Sequence, residues 1–274
     1  MCYLKVTDIT EKKYKKLVIQ VSLNGFSFCG IDTLTKNINF VYEVDFAQYH
    51  KSARVEDYYK KAFLEYDELT ATYDEVLVIH ENNLSTFVPK PLFDENYSGN
   101  YLQYNTKVFE SDFFAHDELD AFEMVNVYIP YVNFNNYLLD QFETFEYFHV
   151  NSILVTKLME ISKNTSEKQM FVHIGKDHFE IAVIENQKLL VFNSFDYQTK
   201  EDFIYYILFT AEQLLLNPET FKLTLLGQIS ENDNLYKIAY KYVRNVSLIN
   251  IFHTQKHNNF SSEENLKHFI LFNT

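Results

Sequence analysis

The chain has 274 residues, of which 47% are hydrophobic and 17% aromatic, and its formal net charge is −14. This apolar content is sufficient for a packed core and excludes a disordered chain. The acidic balance repels a phosphate backbone, so general nucleic-acid binding is disfavoured. Because no stretch reaches about 18 uncharged apolar residues, we expect no membrane span.

Cysteine content indicates the compartment. The two cysteines, Cys2 and Cys29, do not form a disulfide framework. Cys29 lies in an apolar segment, which indicates a free buried thiol and a reducing environment. Residues 1–20 lack the apolar core of a secretory signal. We therefore expect a cytoplasmic protein.

The hydrophobic pattern of the first apolar segment recurs in the second half of the chain. Residues 17–32 and 170–185 align without a gap and share their hydrophobic pattern. In each copy an apolar run is followed by a short polar turn and by an alternating run that ends on an acid. The turns are Leu23-Asn24-Gly25 and Lys176-Asp177-His178. Both copies predict a β-hairpin, because Asn-Gly and Asp-containing pairs tolerate positive φ.

The same further elements follow each hairpin. A third strand, an amphipathic helix, a fourth strand and another helix are predicted in each copy from the change of hydrophobic period. In the first half they cover residues 38–42, 55–66, 75–79 and 91–104. In the second half they cover residues 188–192, 199–215, 221–226 and 232–243. The sequence therefore predicts two α/β halves of order βββαβα.

The first half also carries an extra segment, residues 106–148. We predict strands at 106–115 and 120–129 around a turn at His116-Asp117-Glu118, and then a helix at 131–141. A helix at 151–161 ends this half, and the polar residues 162–168 form the linker. The predicted domains are residues 1–163, the first half with its insertion, and residues 168–274, the second half.

A βββαβα order that occurs twice resembles the actin-like ATPase superfamily and the broader ribonuclease H-like topology. The segments 16–32 and 87–95 also resemble an uncharacterised bacterial family, domain of unknown function 3822, and this resemblance covers nearly the whole chain. The resemblance implies a duplicated actin-like fold. In an active ATPase of this fold, the cleft between the halves binds ATP and Mg²⁺.

This sequence lacks most of the residues that bind the nucleotide in such an ATPase. The fold uses Gly-rich hairpins to present amides to phosphate, an acid that holds Mg²⁺ through water, and a pair of glycines beside adenosine. Here Ser22 takes the position of the acid, and Gly25 alone remains in the first hairpin. Gly175 precedes the second turn, and Gly227 stands alone after the fourth strand. We therefore expect no hydrolysis-competent site, no metal and no cofactor.

Two functions remain open for the cleft, whose candidate residues are Ser22, Asn24, Gly25, Gly175, Asp177 and Gly227. The leading hypothesis is a non-catalytic interaction or scaffold protein that binds a protein partner through the cleft or the extra segment. The alternative is an ATP-binding protein or ATPase with an unusual phosphate site, in which Asp177 binds the metal instead of being an ordinary turn residue. A small-molecule binder in the crevice is not separable from the first hypothesis by sequence.

Other kinds of site find less support. A ribonuclease H-like nuclease needs carboxylates clustered on its first strand, and residues 17–23 contain none. The aromatic block at 128–148 lacks basic residues, so core packing is expected there rather than stacking on single-stranded nucleic acid. His253 and His257 have metal-like spacing but no supporting Cys or carboxylate, and we interpret them as surface histidines.

Overall fold

The computed structural model describes residues 12–48, 54–252 and 257–274. The first half begins with β1 (Lys15–Ser22), β2 (Gly25–Asp32), β3 (Ile38–Asp45), α1 (Val55–Glu65), α2 (Asp67–Thr70) and β4 (Glu75–His80). It continues with β5 (Ser85–Pro89), α3 (Ser98–Leu102), β6 (Ala115–Leu119), β7 (Met124–Tyr128), α4 (Val132–Phe142), β8 (Glu146–His149) and α5 (Val150–Ile161).

The second half repeats this order without an insertion. Its elements are β9 (Gln169–Ile174), β10 (His178–Glu185), β11 (Lys188–Asp196), α6 (Lys200–Gln213), β12 (Lys222–Gly227), α7 (Asn234–Tyr242), β13 (Asn245–Leu248), α8 (Ser262–Lys267) and α9 (Phe269–Phe272). Helix α6 begins with the expected capping box, in which Thr199 Oγ1 accepts a hydrogen bond from the Asp202 amide at 3.1 Å. Such a cap satisfies an amide that the helix itself leaves without a partner.

The two large sheets have the same topology. Their strand orders are β3-β2-β1-β4-β8 and β11-β10-β9-β12-β13. In each sheet the first three strands in chain order form antiparallel pairs. The fourth strand in chain order lies between the first and the fifth and is parallel to both. Strands β2 and β10 begin and end at equivalent places in the gap-free alignment of 17–32 with 170–185. The predicted duplication is therefore confirmed.

One apolar core joins the halves. The central strands β1 and β9 are buried on both faces, which accounts for their nearly continuous apolar runs. Val18 and Ile79 of the first sheet belong to the same buried cluster as Phe171 and Leu226 of the second, together with Leu154 of α5. Separate clusters lie on the outer faces, under α1 and α4 in the first half and under α6 and α7 in the second. Burial of such side chains, each worth about 1.5–3 kcal/mol, therefore holds the halves together.

The insertion differs from the prediction in extent and register. It is a small sheet of order β5-β7-β6 that begins at Ser85, together with α3, rather than a strand pair that begins at residue 106. The turn predicted at His116-Asp117-Glu118 is wrong, because these residues lie inside β6. Asp117 resembles a turn residue but is buried, and its Oδ1 accepts a hydrogen bond from the Tyr128 hydroxyl at 2.9 Å.

The second helix of the first half is also corrected. Only the five-residue helix α3 forms within 91–104, and it belongs to the insertion. Helix α4 takes the place equivalent to α7, between the fourth and fifth strands of its sheet. Strand β8, which is the fifth strand of the first large sheet, overlaps the end of the aromatic block at 128–148. The sequence did not predict this strand. Core packing of that block is confirmed for Tyr128 and Phe134, which are fully buried.

Several remaining expectations concern single residues or the whole chain. Cys29 is buried and free, whereas Cys2 and His253 lie outside the described residues. Among the helices that the structure describes, none combines the length and the apolar character needed to cross a bilayer. The domain boundaries at residues 163 and 168 stay predictions.

Candidate functional site

A cleft of about 320 Å³ opens between the two hairpins, where β1 and β9 end. Its walls come from the first and second hairpins, from the segment after β4, and from single residues such as Tyr131 and Gln228. The ends of parallel strands in α/β sheets are common ligand sites, because loops from several strands meet there. This cleft occupies the position at which the fold resemblance places a nucleotide.

Four of the six candidate residues line this cleft: Ser22, Asn24, Gly25 and Asp177. The remaining two, Gly175 and Gly227, do not line the cleft. Gly175 directly follows β9, and Gly227 is the last residue of β12. Their chain neighbours Lys176 and Gln228 do line it. The topology therefore brings both hairpin tips together, as the duplicated pattern of the sequence indicated.

The polar groups at the first hairpin tip are already hydrogen-bonded to other groups of the first half. The Ser22 hydroxyl donates to the Gly25 carbonyl at 3.1 Å and accepts from the Asn24 amide at 3.4 Å. The Asn24 carbonyl accepts a hydrogen bond from the Phe46 amide at 2.9 Å. Ser22 therefore closes the hairpin, and its neutral hydroxyl does not replace the acid that an ATPase would carry here.

Close packing of the backbone explains why two of the candidate positions, Gly25 and Gly227, hold glycine. A Cβ atom on Gly25 would lie 2.1 Å from the Val44 carbonyl oxygen of the neighbouring strand. Gly227 has a φ of +91°, and a Cβ atom there would lie 2.3 Å from the Ile174 carbonyl oxygen. Both positions exclude a side chain for reasons internal to the fold. These glycines are therefore no sign that a nucleotide approaches the backbone.

The charge of the cleft is predominantly negative. Five carboxylates line it: Glu43, Asp45, Glu81, Asp177 and Asp196. Lys176 also lines it, but its Nζ lies 3.5 Å from Asp45 Oδ2 and so forms an ion pair between the halves. The hydrogen bond from the Ala47 amide, assisted by the charge of Lys176, lowers the pKa of Asp45. Clustered negative charge repels the phosphates of a nucleotide.

The carboxylates do not form a metal site. Across the described ranges of the chain, no group of three or more His, Cys, Asp or Glu side chains is arranged to hold a metal ion. Glu81 instead accepts a hydrogen bond from Gln20 Nε2 at 2.9 Å, and Asp45 accepts one from the Ala47 amide at 2.8 Å. Two of the five carboxylates are therefore already engaged by neighbouring groups of the protein.

A largely buried polar cluster lies on the two strands of the second hairpin, and one of its members, His178, also lines the cleft. His173 Nδ1 lies 2.7 Å from Glu180 Oε2, and His178 Nε2 lies 3.1 Å from Glu180 Oε1. The Ser194 hydroxyl donates to Glu180 Oε1 at 3.1 Å. Burial opposes ionisation of Glu180, but the hydrogen bonds from His173 and His178 outweigh it and lower the pKa of the carboxyl. Through its hydrogen bond with Glu180, His178 has a pKa raised to about 9.

Two buried histidines of the first half, His80 and His149, have the opposite character. Burial lowers the pKa of His80 to about 4 and that of His149 to about 3, so both rings are neutral at pH 7. His149 Nδ1 accepts a hydrogen bond from the Asn151 amide at 3.1 Å, and His80 Nδ1 accepts one from the Tyr131 amide at 3.2 Å. These rings fix the backbone near the cleft, but they add no positive charge that would attract phosphate.

Comparison with known proteins identifies the family. A family model described as "Protein of unknown function (DUF3822)" matches residues 5–246. This confirms the resemblance seen in the hairpin and in residues 87–95. No curated protein matches the chain significantly.

Solved structures confirm the fold. A protein from Bacteroides thetaiotaomicron VPI-5482, described as having an actin-like ATPase fold and unknown function, is 25% identical with a TM-score of 0.79, and the match covers 98% of this chain and 99% of that one. The PilM-PilN type IV pilus biogenesis complex contains a chain that is 13% identical with a TM-score of 0.57, covering 94% and 96%. The second likeness concerns the fold alone. The chain therefore belongs to the DUF3822 family of proteins of unknown function, and it has the actin-like ATPase fold.

Proposed function

We propose that this chain is a non-catalytic protein-interaction or scaffold protein, in which the actin-like fold is kept and the nucleotide site is lost. The observation that carries the proposal is the charge of the cleft. Its lining has five carboxylates, Glu43, Asp45, Glu81, Asp177 and Asp196. Its two basic residues, Lys176 and His178, are paired with Asp45 and with the buried Glu180, and Glu43 is paired with Lys267, so the remaining three carboxylates carry the negative charge. A ligand with several phosphate charges would meet net repulsion there.

The alternative, an ATP-binding protein with an unusual phosphate site, has one observation in its favour. Of the four contacts that the hypothesis requires, Ser22, Asn24 and Asp177 line the same cleft, whereas Gly227 does not. Against it, Ser22 is engaged in its own turn and Gly227 is required by backbone packing against β9. Charge and hydrogen bonding together therefore favour the non-catalytic proposal.

A protein partner in the cytoplasm is part of the proposal. One solved structure with this fold, PilM-PilN, is by its printed description a complex for pilus biogenesis, which shows that the fold occurs in protein assemblies. Cys29 is a buried free thiol, and burial raises its pKa, as suits a reducing compartment. A partner of this chain is expected to bind without nucleotide.

Calorimetric titration of the intact protein with ATP and Mg²⁺ tests the proposal. We expect no saturable heat at nucleotide concentrations up to the millimolar range and no phosphate release. The double variant Asp177→Asn with Asp196→Asn serves as a charge control, because it removes two negative charges from the cleft and should weaken the repulsion. Wild-type binding with a micromolar dissociation constant, about −8 kcal/mol, together with turnover would refute the proposal.

A further inference from the structure

Strand β11 is an unusual outer strand. It covers nine residues, Lys188–Asp196, and its charged residues stand only at its two ends, Lys188 and Asp196. It lies at one edge of the second sheet, paired on one side with β10. A long outer strand without charge is a template for pairing with another chain, and proteins normally protect such edges.

Apart from β5, which contacts β11, the remaining outer strands of the described chain are protected in recognised ways. Strand β3 is partly covered, because the Ile38 amide donates to the His257 carbonyl at 2.8 Å. Strands β8 and β13 have four residues each. Strand β6 is short, and its Glu118 forms an ion pair with Lys90. The edge of β11 has neither a charge in its middle nor a short length to protect it. Its pairing with β10 is irregular only at Leu190, near one end, and is continuous from Val191 to Asp196.

A groove of about 590 Å³ lies along β11 and β5, one of the two outer strands of the insertion's sheet. The two strands meet through an aromatic contact, since the ring centroids of Phe87 and Phe192 lie 5.1 Å apart in a T-shaped arrangement. Two sheet edges from different halves thus line one elongated space. Its volume lies within the range of about 300–1,000 Å³ that is usual for ligand sites.

The lining of this groove carries no charged side chain, although the protein is strongly acidic. Its polar side chains are hydroxyls and the four amides of Asn83, Asn105, Asn151 and Asn193. Amides and hydroxyls bond readily to a peptide backbone, and an uncharged wall disfavours burial of a charged ligand. The groove therefore differs in chemistry from the acidic cleft.

A buried acceptor in the groove lacks a partner. Asn151 is only 3% exposed and lines the groove. Its Nδ2 donates to Ser85 Oγ at 2.9 Å, whereas its Oδ1 has no hydrogen-bond partner within the described chain. A buried carbonyl without a donor is unfavourable, and a ligand N–H group would relieve this cost.

We propose that this groove binds an extended, uncharged segment of a partner protein, which adds to the free edge of β11 as a further strand. Backbone hydrogen bonds to β11 would supply affinity, and alternate side chains would contact Leu190 and the Phe87–Phe192 pair. The inference rests on the proposed function for the nature of the ligand, a protein, but it uses a different site, whose lining shares only Asn83 with that of the cleft.

Selection from a displayed library of random linear peptides of about ten residues, the length of a long strand, tests the groove on the intact protein. We expect the selected peptides to share an uncharged central stretch. A synthetic copy of the best binder, followed by fluorescence anisotropy, should lose affinity roughly tenfold when alternate backbone amides are methylated and little when the intervening ones are, because successive amides of a strand point in opposite directions.

Two matched variants locate the binding. Asn193→Glu places a charge on the exposed middle of β11 and should weaken the peptide roughly tenfold or more. Gln198→Glu makes the same kind of change on an exposed residue outside the groove and should leave affinity unchanged. Leu190→Glu replaces the first variant if thermal unfolding shows that Asn193→Glu has disturbed the fold.

The inference is overturned if no peptide is selected, if selected peptides are charged throughout, or if the two Glu variants bind equally. Failure of the groove is distinguishable from failure of the proposed function. Magnesium–ATP binding with turnover would refute the non-catalytic proposal and leave the peptide result untouched. A cleft that binds no nucleotide, combined with failed peptide selection, would overturn the groove alone.

Discussion

Glu180 lies directly opposite His173 in the β9–β10 ladder, and the two side chains meet at 2.7 Å in the interior of the second half. His178, from the start of β10, binds the second carboxylate oxygen. Because two imidazoles share one buried carboxylate, the ionisation of this cluster is linked to folding. The cluster joins the two strands of the hairpin whose tip lines the cleft, and His178 itself lines the cleft.

The basic limb of the stability curve should depend on His178. Its pKa rises from 6.5 to about 9 on folding, so its contribution is fully present below pH 6.5 and is lost as the pH rises through 9. We expect the free energy of unfolding in urea to fall over that interval by at most roughly 3 kcal/mol. His178→Gln should remove this slope, and His116→Gln, in the insertion, should keep it. An unchanged slope in His178→Gln would refute the assignment.

Loss of the buried carboxylate should be costly. Glu180→Gln removes the negative charge that faces His173 and His178, and we expect it to lower the free energy of unfolding by about 3–5 kcal/mol at pH 6. Glu185→Gln, at the end of the same strand, is the matched control and should change stability by less than about 0.5 kcal/mol. If the two variants lost the same free energy of unfolding, the cluster of His173, Glu180 and His178 would contribute nothing to stability beyond an ordinary glutamate.

The glycine after β12 should be required for folding rather than for a ligand. Gly227→Ala forces a side chain onto a backbone with φ of +91° and a contact of 2.3 Å, and we expect a loss of roughly 2–4 kcal/mol. Gly175→Ala is the milder control, because its nearest contact is 3.2 Å. Both are measured by urea unfolding without nucleotide. A Gly227→Ala protein as stable as the wild type would contradict this explanation.

Asp117 should stabilise the junction between the insertion and α5. Its carboxylate accepts hydrogen bonds from the Tyr128 hydroxyl at 2.9 Å, the His149 amide at 2.8 Å and the Ser152 hydroxyl. Asp117→Ala leaves these donors without a partner, and we expect thermal unfolding to report a loss of about 3 kcal/mol. The neighbouring change Glu118→Ala removes an exposed ion pair and should cost less than about 1 kcal/mol. The reverse order of effects would be incompatible with this account.

The features that the sequence predicted are local ones. The hairpins were found because their apolar runs and turn residues are adjacent in the chain, and the repetition of 17–32 at 170–185 identified the duplicated fold. Helix α6 was found from its cap, Thr199 with Asp202. The convergence of Ser22 and Asp177 on one cleft followed from the fold resemblance, because the two hairpins occupy equivalent places.

The features that were missed depend on tertiary contacts. Asp117 was interpreted as a turn residue, because its buried partners come from β7, β8 and α5 and leave no mark on local sequence. Strand β8 has four residues and is recognised only by its pairing with β4. The pairing of His173 with Glu180 follows from a two-residue turn, Lys176-Asp177, which places Gly175 opposite His178 and therefore His173 opposite Glu180. The turn predicted at Lys176-Asp177-His178 implies a different register, because His178 belongs to β10 and not to the turn.

Diffraction from crystals of the intact protein soaked with ATP and Mg²⁺ tests the central claim most directly. We expect no nucleotide density between the hairpin tips and an intact contact between Lys176 and Asp45. Phosphate density against Ser22 and Asp177, with a magnesium ion beside it, would contradict the claim that this cleft no longer binds nucleotide.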